Sequence, residues 1–208
     1  MKNREGIWVP ENETPKWWTW TDKYDEKEYN KLNLSGDVCL DIGAHIGLWT
    51  KKLSKDFNQV ICFEPLQEHI DCHKKNCKEL DNITLHECAL SDSETDSIMT
   101  TNKLNSGMST LLEPNWEDKD TVIVKTKTLD SFNLPKVDFI KIDVEGYELQ
   151  VLSGGRETIT KYKPKIYIEI SNSNLRSATY ILNEIGYSLI QTSKNVDSIN
   201  QNYLAVVK

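Results

Sequence analysis

The chain has 208 residues, 38% of them hydrophobic and 27% charged, which is the composition of a globular domain with a sizeable core. A net charge of −7 argues against broad, nonspecific binding to nucleic acid, because such binding needs a basic surface. The first ten residues lack the apolar core of a signal peptide, no run reaches membrane-spanning length, and five cysteines are an odd number for a disulfide framework. The sequence therefore predicts free thiols in a cytoplasmic protein without a membrane span.

Residues 1–34 are predicted to form an aromatic-rich arm and a short helix ahead of a main domain at residues 35–208. Four of the six tryptophans lie in residues 1–21, where no regular element is predicted. A short polar helix is expected over residues 22–32. Since proteins usually bury aromatic surface by packing, we expect the arm to pack onto the domain, and a flap over an active site is the alternative.

Two stretches, residues 38–90 and 139–208, alternate between short apolar runs typical of buried strands and apolar stripes with helical spacing. The last two strands are joined by only about ten residues, too few for a parallel crossover, so they are expected to pair antiparallel. The predicted strands are 38–42, 60–63, 83–90, 139–144, 165–170, 188–192 and 203–207. Four helices are predicted here: one follows Gly47, one follows Pro65, one begins at Tyr147 and is interrupted at Gly154-Gly155, and one runs from residue 174 or 175 to Gly186.

Residues 95–129 break this alternation. Two predicted strands, at 98–101 and 121–129, flank a polar, turn-rich loop at 102–119, and a loop this long in a compact domain is usually functional. The fold predicted for the chain is an α/β domain with a doubly wound, mostly parallel seven-stranded sheet, helices on both faces, an antiparallel last strand and this inserted β-hairpin region. In such a sheet, ligands bind beyond the C-terminal ends of the strands, at the switch in strand order.

Asp41 ends the first of these strands, and Gly43 and Gly47 follow it in a turn that begins a helix, an arrangement that presents backbone N–H groups to a ligand. The spacing departs from the G-x-G-x-x-G fingerprint of dinucleotide sites, because His45 takes the place of the middle glycine. Asp41 would repel a pyrophosphate but would favour an ammonium or a ribose hydroxyl. Glu64 follows the next strand and is placed to accept two hydrogen bonds from a ribose diol, although a structural acid at a helix N-terminus is the alternative. S-adenosylmethionine therefore fits better than a dinucleotide.

Lys141, Asp143 and Glu145 share one face of the strand at 139–144, because side chains alternate along a strand. A lysine within a central strand is costly unless it is paired, and Glu169 on the neighbouring strand is the expected partner. The structural and functional interpretations of Lys141 have equal weight, whereas Asp143 and Glu145 are interpreted as functional because they end a strand. The acids could hold a magnesium ion or simply neutralise Lys141, so metal dependence stays open and no metal site is predicted.

A group of His69, Cys72, His73 and Cys77 has some features of a metal site. The first and last of these residues are eight positions apart on one predicted helix, which is about 12 Å along its axis. One helix cannot close a tetrahedral zinc site of that length. These residues are therefore expected to pack in the interior.

Several motifs in order along residues 35–190 resemble those of the FkbM family of methyltransferases. The motifs are Asp41-Ile-Gly-Ala-His-Ile-Gly47, Phe63-Glu64-Pro65, Ala89-Leu90-Ser91-Asp92, Ile140-Lys-Ile-Asp-Val-Glu-Gly-Tyr-Glu148 and Leu152-Ser-Gly-Gly155. The resemblance implies an S-adenosylmethionine-dependent class I fold. Carried over by position, the resemblance implies that Asp41, Gly43 and His45 bind the methionine end of the cofactor, with Gly47 in the same turn. It implies Glu64 at the ribose, with Pro65 beside it, and Ala89, Leu90 and Ser91 at the adenine edge. Asp143 and Glu145 would lie near the transferred methyl group.

The resemblance also implies the reaction, which is methyl transfer to a hydroxyl of a sugar, glycan precursor or natural product, with S-adenosylhomocysteine as the second product. Since the sulfonium is already activated, the protein mainly aligns donor and acceptor, and an alcohol acceptor gains from a general base. Asp143 and Glu145 are the candidate bases, with His45 as a third.

Three alternatives remain open. Transfer to a nucleic-acid ribose 2′-hydroxyl is disfavoured by the net charge, and a nicotinamide-dependent oxidoreductase is disfavoured by the glycine spacing; a non-catalytic nucleotide-binding module is the third. The expected partner is a small-molecule or glycan acceptor and not a nucleic acid, and the oligomeric state is not predicted.

Overall fold

A computed structural model describes residues 1–11, 13, 26–103, 105–192 and 199–208. The strands are β1 (Lys2–Arg4), β2 (Ile7–Val9), β3 (Gly36–Ile42), β4 (Phe57–Phe63), β5 (Ile83–His86), β6 (Ala89–Leu90), β7 (Thr95–Asn102), β8 (Lys119–Lys127), β9 (Phe139–Ile142), β10 (Lys165–Ser171), β11 (Tyr187–Gln191) and β12 (Asn200–Val207). The helices are α1 (residues 26–32), α2 (Leu48–Asp56), α3 (Gln67–Asn76), α4 (Glu148–Gly154), α5 (Arg156–Tyr162) and α6 (Leu175–Glu184).

The large sheet has seven strands in the order β11-β12-β10-β9-β3-β4-β5. The five neighbouring strands β10, β9, β3, β4 and β5 run parallel to one another, and β12 is antiparallel to both of its neighbours. The predicted doubly wound, mostly parallel sheet with one antiparallel strand at the end of the chain is therefore confirmed. The chain moves outward from β3 through β4 to β5 and then returns to β9 on the other side of β3. The switch in strand order consequently lies between β3 and β9, where a ligand cleft is expected.

The two faces of this sheet carry separate apolar cores. On one face, Leu40 of β3 and Ile142 of β9 pack with α4, α5 and α6, through residues such as Leu152. On the other face, Cys39 of β3 packs with α1 and α2, through residues such as Trp49. Successive residues of β3 thus point to opposite helix layers, as the period of two in a strand requires. The expected helices on both faces are present.

The inserted region forms a second sheet of three strands in the order β6-β8-β7. β7 and β8 pair antiparallel from Thr95 opposite Thr126 to Asn102 opposite Lys119, so the predicted hairpin is confirmed, with a longer first strand and a second strand that begins two residues earlier. The prediction of one strand over residues 83–90 is wrong. β5 pairs with β4 in the large sheet, whereas β6 pairs with β8 in the small sheet, because the chain crosses between the two sheets after His86.

The arm begins with a β-hairpin, which the sequence did not predict. β1 and β2 pair antiparallel around a two-residue turn of Glu5 and Gly6, whose φ angles of 49° and 90° are those of a type I′ turn. Trp8 packs beside a cluster that includes Ile46, and the Lys75 ammonium lies 3.8 Å from the centre of its ring. The remaining predictions for residues 14–25, including three tryptophans and the start of the first helix, lie outside the described residues, and the boundary at residue 34 stays a prediction.

No helix in the described ranges has the length and apolar character needed to cross a membrane.

Candidate active site

A cavity of about 150 Å³ lies at the C-terminal ends of β3, β4 and β9, next to the switch in strand order. It has two walls. The sheet wall comes from the loops that follow these strands, and the insert wall comes from Met99, Ser106, Gly107, Ser109 and Leu111 of the inserted region. Asp41, Gly47 and Ser91 are buried and do not line the cavity. Eight of the predicted residues line it, namely Gly43, His45, Glu64, Pro65, Ala89, Leu90, Asp143 and Glu145.

Gly43 is required by a close approach between the two central loops. Its φ is +77°, and a Cβ at this position would lie 1.8 Å from the backbone oxygen of Asp143. The N–H groups of Gly43 and Ala44 both donate to the Phe63 carbonyl at 3.1 Å, and that of His45 donates to Glu64 Oε2 at 2.9 Å. The prediction that this turn offers its N–H groups to a ligand is therefore wrong for these three residues, because protein oxygens already accept them.

Lys141 joins the two central strands through buried charge. Its Nζ lies 3.6 Å from Asp41 Oδ1 and 3.3 Å from Asp143 Oδ2, and it donates to the Gly43 carbonyl at 2.9 Å. These partners differ from Glu169, the one expected from the sequence, because of strand register, although the Lys141 charge still acts to lower the pKa of Glu169. Lys141 stands opposite Asp41 on β3 and opposite Tyr167 on β10, which places Glu169 two residues further along its strand.

Asp41 lies behind the sheet wall and not on it. Its carboxylate is fully buried, and Oδ2 accepts a hydrogen bond of 2.6 Å from the Thr50 hydroxyl. Oδ1 has no hydrogen-bond donor among the described residues and faces Lys141. Direct contact between Asp41 and a ligand stays a prediction, and its observed contacts make it the counterion of Lys141.

Carboxyl groups gather at the end of β9. One carboxyl oxygen from each of Asp143, Glu145 and Glu169 lies within 4.8 Å of the other two. In the described ranges, this is the one group of three or more acidic, histidine or cysteine side chains close enough together to surround a cation. Burial and the nearby Asp143 charge raise the pKa of Glu145 well above its ordinary value and that of Glu169 to about 8. Burial also raises the pKa of Glu148 to about 7. Burial therefore favours the protonated form of these acids, whereas the half-exposed Asp143 is paired with Lys141.

Neighbouring protein groups hold Glu64 in one orientation. Besides the His45 N–H, its carboxylate accepts the Leu66 N–H at 3.0 Å and contacts His69 Nδ1 at 3.1 Å. Burial alone would raise the pKa of Glu64, but His69 and the backbone donors outweigh it and lower that pKa. The ribose contact of Glu64 stays a prediction, and His69 is a residue of the site that the sequence did not identify.

The histidines and cysteines of α3 divide between two environments. Cys72 and Cys77 are buried, and His73 Nε2 lies 3.0 Å from the Thr50 hydroxyl that binds Asp41, so these three residues pack in the interior as predicted. His69 differs because it lines the cavity. Its position in the first turn of α3, shortly after Glu64, was the available signal, since a side chain there points back toward the preceding strand end.

Two other sequence motifs, at residues 89–92 and 152–155, contact each other outside the cavity. A Cβ on Gly154 would lie 1.9 Å from the Ser91 carbonyl oxygen, so α4 can approach the chain after β6 only with glycine at this position. Ser91 is thereby buried, and its N–H donates to the Lys127 carbonyl at 2.8 Å. The Gly154 motif thus sets the position of the Ala89–Leu90 strand that lines the cavity.

The insert wall is bonded to the sheet wall by two side chains. The Ser106 hydroxyl lies 3.1 Å from His45 Nε2, and the Thr110 hydroxyl donates to the Glu145 carbonyl at 2.7 Å. His45 and Glu145 both adopt positive φ, of 50° and 52°, a conformation that is strained for residues other than glycine. Burial and the neighbouring His69 lower the pKa of His45, so its ring is neutral. The sequence indicated that the 102–119 loop is functional, but it did not identify these residues.

Known proteins resemble the chain in sequence. The family profile of the methyltransferase FkbM domain matches residues 41–189, which is more than half of the chain. A curated relative, the 2-O-methyltransferase NoeI of Sinorhizobium fredii (strain NBRC 101917 / NGR234), is 30% identical over 158 residues, and the match spans 66% of this chain and 65% of that protein.

Solved structures resemble the chain in fold. The methyltransferase FkbM from Methylobacillus flagellatus KT superposes with a TM-score of 0.60 at 21% identity, covering 82% of this chain and 43% of that chain. The magnesium protoporphyrin IX methyltransferase from Synechocystis PCC 6803, with bound S-adenosylmethionine, superposes with a TM-score of 0.54 at 12% identity, covering 91% of this chain and 79% of that chain. At these identities the likeness shows a shared fold.

Proposed function

The chain belongs to the FkbM methyltransferase family, and from this membership we propose that it transfers a methyl group from S-adenosylmethionine to a hydroxyl of a sugar, glycan precursor or natural product. One observation carries the proposal. The glycine turn, the pre-oriented Glu64 and the half-exposed Asp143 all line one cavity beside the switch in strand order. The 2-O-methyltransferase name of the curated relative supports an oxygen atom as the acceptor.

The cavity fits the methyl donor better than a dinucleotide. Glu64 retains acceptor capacity for a ribose hydroxyl, since a carboxylate has about four lone-pair sites and three are in use. Ala89, Leu90 and Leu66 provide apolar surface on the side expected for the adenine. At the other end, Gly43 and His45 line the part of the cavity expected for the methionine portion of the ligand. When bound, S-adenosylmethionine supplies the activated methyl group.

Asp143 is the proposed general base. Its Oδ2 lies 3.3 Å from Lys141 Nζ, and its partial exposure leaves it open to an acceptor hydroxyl. Glu145 has the opposite role, since burial and the Asp143 charge raise its pKa and keep it protonated. Asp143 would accept the proton of the acceptor hydroxyl, and the protonated Glu145 would donate a hydrogen bond that helps to orient the acceptor. The bound S-adenosylmethionine would supply the methyl group and leave as S-adenosylhomocysteine.

The charges that line the cavity argue against an acceptor with many phosphates. Among the described residues, Lys141 is the one lysine or arginine that lines the cavity, and it is already paired with Asp41 and Asp143. Phosphates near the reacting hydroxyl would therefore have no cation of their own to bind. A neutral hydroxyl compound is therefore preferred over a nucleic acid. The five cysteines are buried free thiols, which fits the cytoplasm as the location.

Two substitutions separate the roles of the acids. With acceptor saturating, Asp143→Asn should lower turnover by about 10³-fold because the base is lost, whereas Glu145→Gln should retain most activity because glutamine imitates the protonated acid. Asp96→Asn, which changes an exposed carboxylate on β7, is the control. Turnover is measured as a product heavier by one methyl group, against a panel of sugars and lipid-linked glycans. Unchanged turnover in Asp143→Asn would contradict the assignment.

A further inference from the structure

Asn76 joins the arm to the turn that carries Gly43 and His45, which we call the cofactor turn. Asn76 at the end of α3 accepts the Trp8 N–H at 2.7 Å, and its amide donates to the carbonyls of Trp8 at 2.9 Å and Ile46 at 2.8 Å. Ile46 belongs to the turn that carries Gly43 and His45. The start of the chain is therefore fastened beside the cavity, although it precedes the residues that match the family.

A second contact reaches the cavity itself. The carboxylate of Glu13, whose residue is 2% exposed, accepts the Ser106 N–H at 3.3 Å and also accepts the Ser106 hydroxyl. The oxygen of that hydroxyl lies 3.1 Å from His45 Nε2. Ser106 and His45 line the cavity from its two walls. A buried acid of the arm thus lies behind the hydrogen bond that joins those walls.

The protons available on Ser106 and His45 fix the direction of the hydrogen bonds that link Glu13, Ser106 and His45. A serine hydroxyl has one proton, and a carboxylate is a stronger acceptor than a neutral imidazole. With its proton directed to Glu13, the Ser106 oxygen can only accept from His45, so the ring proton of His45 is on Nε2. The neutral state of His45 agrees with this arrangement. The hydrogen bond made by one ring nitrogen decides which tautomer is present.

We propose that Glu13 is a positioning residue for methyl-donor binding, which acts through Ser106 to fix the His45 ring in its Nε2–H form and to hold the insert wall against the cofactor turn. The inference rests on the proposed function, in that the cavity is taken to bind S-adenosylmethionine. It adds to that function a role for the arm, which lies outside the family match. Without Glu13, the Ser106 hydroxyl is free to turn and donate to His45 Nε2, which selects the other tautomer.

The first test is the affinity for S-adenosylhomocysteine, measured by calorimetry on the full chain. Glu13→Ala should weaken binding about tenfold, because it removes a hydrogen bond to a charged group that orders the wall. Glu13→Gln keeps an acceptor oxygen and should stay within about threefold of wild type. The control is Glu11→Ala, which removes an exposed carboxylate two positions away and should leave the affinity unchanged. Ser106→Ala and the double variant Glu13→Ala/Ser106→Ala should lose equal amounts, since both break one chain of contacts.

The second test reads the His45 tautomer from the ¹⁵N resonances of its ring in the ligand-free protein. Wild type should show Nε2–H, and Glu13→Ala should move toward Nδ1–H. This measurement separates a failure of the proposed function from a failure of the role inferred for Glu13. Wild-type protein that binds no S-adenosylhomocysteine contradicts the proposed function, while the tautomer still reports on the contact. Wild-type protein that binds, with Glu13→Ala binding equally well or keeping the wild-type tautomer, overturns the inference.

Discussion

The two walls of the cavity are held by different forces. In the sheet wall, Gly43 lies against the Asp143 backbone with no room for a Cβ, and a buried lysine is bonded to both loops. In the insert wall, side-chain hydrogen bonds from Ser106 and Thr110 make the connection to the sheet. Backbone contacts between parallel strands allow little adjustment, whereas single hydrogen bonds can be exchanged at a small cost. The sheet wall is therefore the rigid part of the cavity, and the insert wall is the part that can adjust.

Gly43→Ala should break the sheet wall and give the largest effect. The added Cβ would overlap the Asp143 carbonyl at a positive φ, so unfolding free energy should fall by about 4 kcal/mol or more. Gly6→Ala is the matched control, because Gly6 also has positive φ but has no atom within 4 Å of the added Cβ. That control should cost about 1 kcal/mol. Urea denaturation measures both, and equal losses would show that the close approach is unimportant.

Lys141→Met should be the next most damaging change. It leaves the Asp41 carboxylate buried without its cation, and breaking a buried pair in this way costs about 3–5 kcal/mol. The double variant Lys141→Met/Asp41→Asn removes both charges and should recover part of the loss. Lys125→Met on the exposed face of β8 is the control. A loss below about 1 kcal/mol in Lys141→Met, well under the cost of a broken buried pair, would contradict the ion-pair account.

The carboxyl groups gathered at the end of β9 should have a smaller effect on stability, and this effect depends on pH. The pKa of Glu169 rises from 4.5 to about 8 on folding, mainly by burial and then by the Asp143 charge. The folded protein therefore binds this proton more tightly than the unfolded chain, and stability falls as the pH rises through that interval. Glu169→Gln should flatten the decline. Thermal denaturation across the interval is the measurement, and a stability that rises with pH in wild type but not in the variant would refute the assignment.

Thr110→Val should perturb the insert wall alone and give the smallest effect. The hydroxyl donates to the Glu145 carbonyl and accepts the Leu112 N–H, so its loss should lower stability by about 1–2 kcal/mol. The KM values should rise while kcat stays near wild type, because Asp143 is not moved. Thr121→Val, at an exposed position of β8, is the control. A fall in kcat without a change in KM would show that the insert wall takes part in the chemistry.

The sheet wall could be predicted from the sequence because its signals are local. Apolar runs placed the strands, and Gly43, Glu64 and Asp143 each follow a strand directly. The partner of Lys141 could not be predicted in the same way. Its neighbours depend on the register between strands that are far apart in the chain, and that register placed Asp41 opposite it.

The insert wall could not be predicted because its contacts join distant segments through ordinary polar residues. Glu13 and Ser106 are 93 positions apart, and neither stands in a recognisable motif. The arm hairpin was missed for a related reason, since Glu5-Gly6 lacks the Asn-Gly or Asp-Gly pair that marks a type I′ turn. His69 was assigned to packing because its helix was considered apart from the strand end that it faces.

Calorimetric titration of wild type and Glu64→Ala with S-adenosylhomocysteine and with NAD tests whether the cavity binds a methyl donor. Wild type should bind S-adenosylhomocysteine and not NAD. Glu64→Ala should weaken this binding by about tenfold or more, because the carboxylate acceptor for the ribose is lost. Binding of NAD in preference to S-adenosylhomocysteine, or an unchanged dissociation constant in Glu64→Ala, would contradict methyl-donor binding in this cavity.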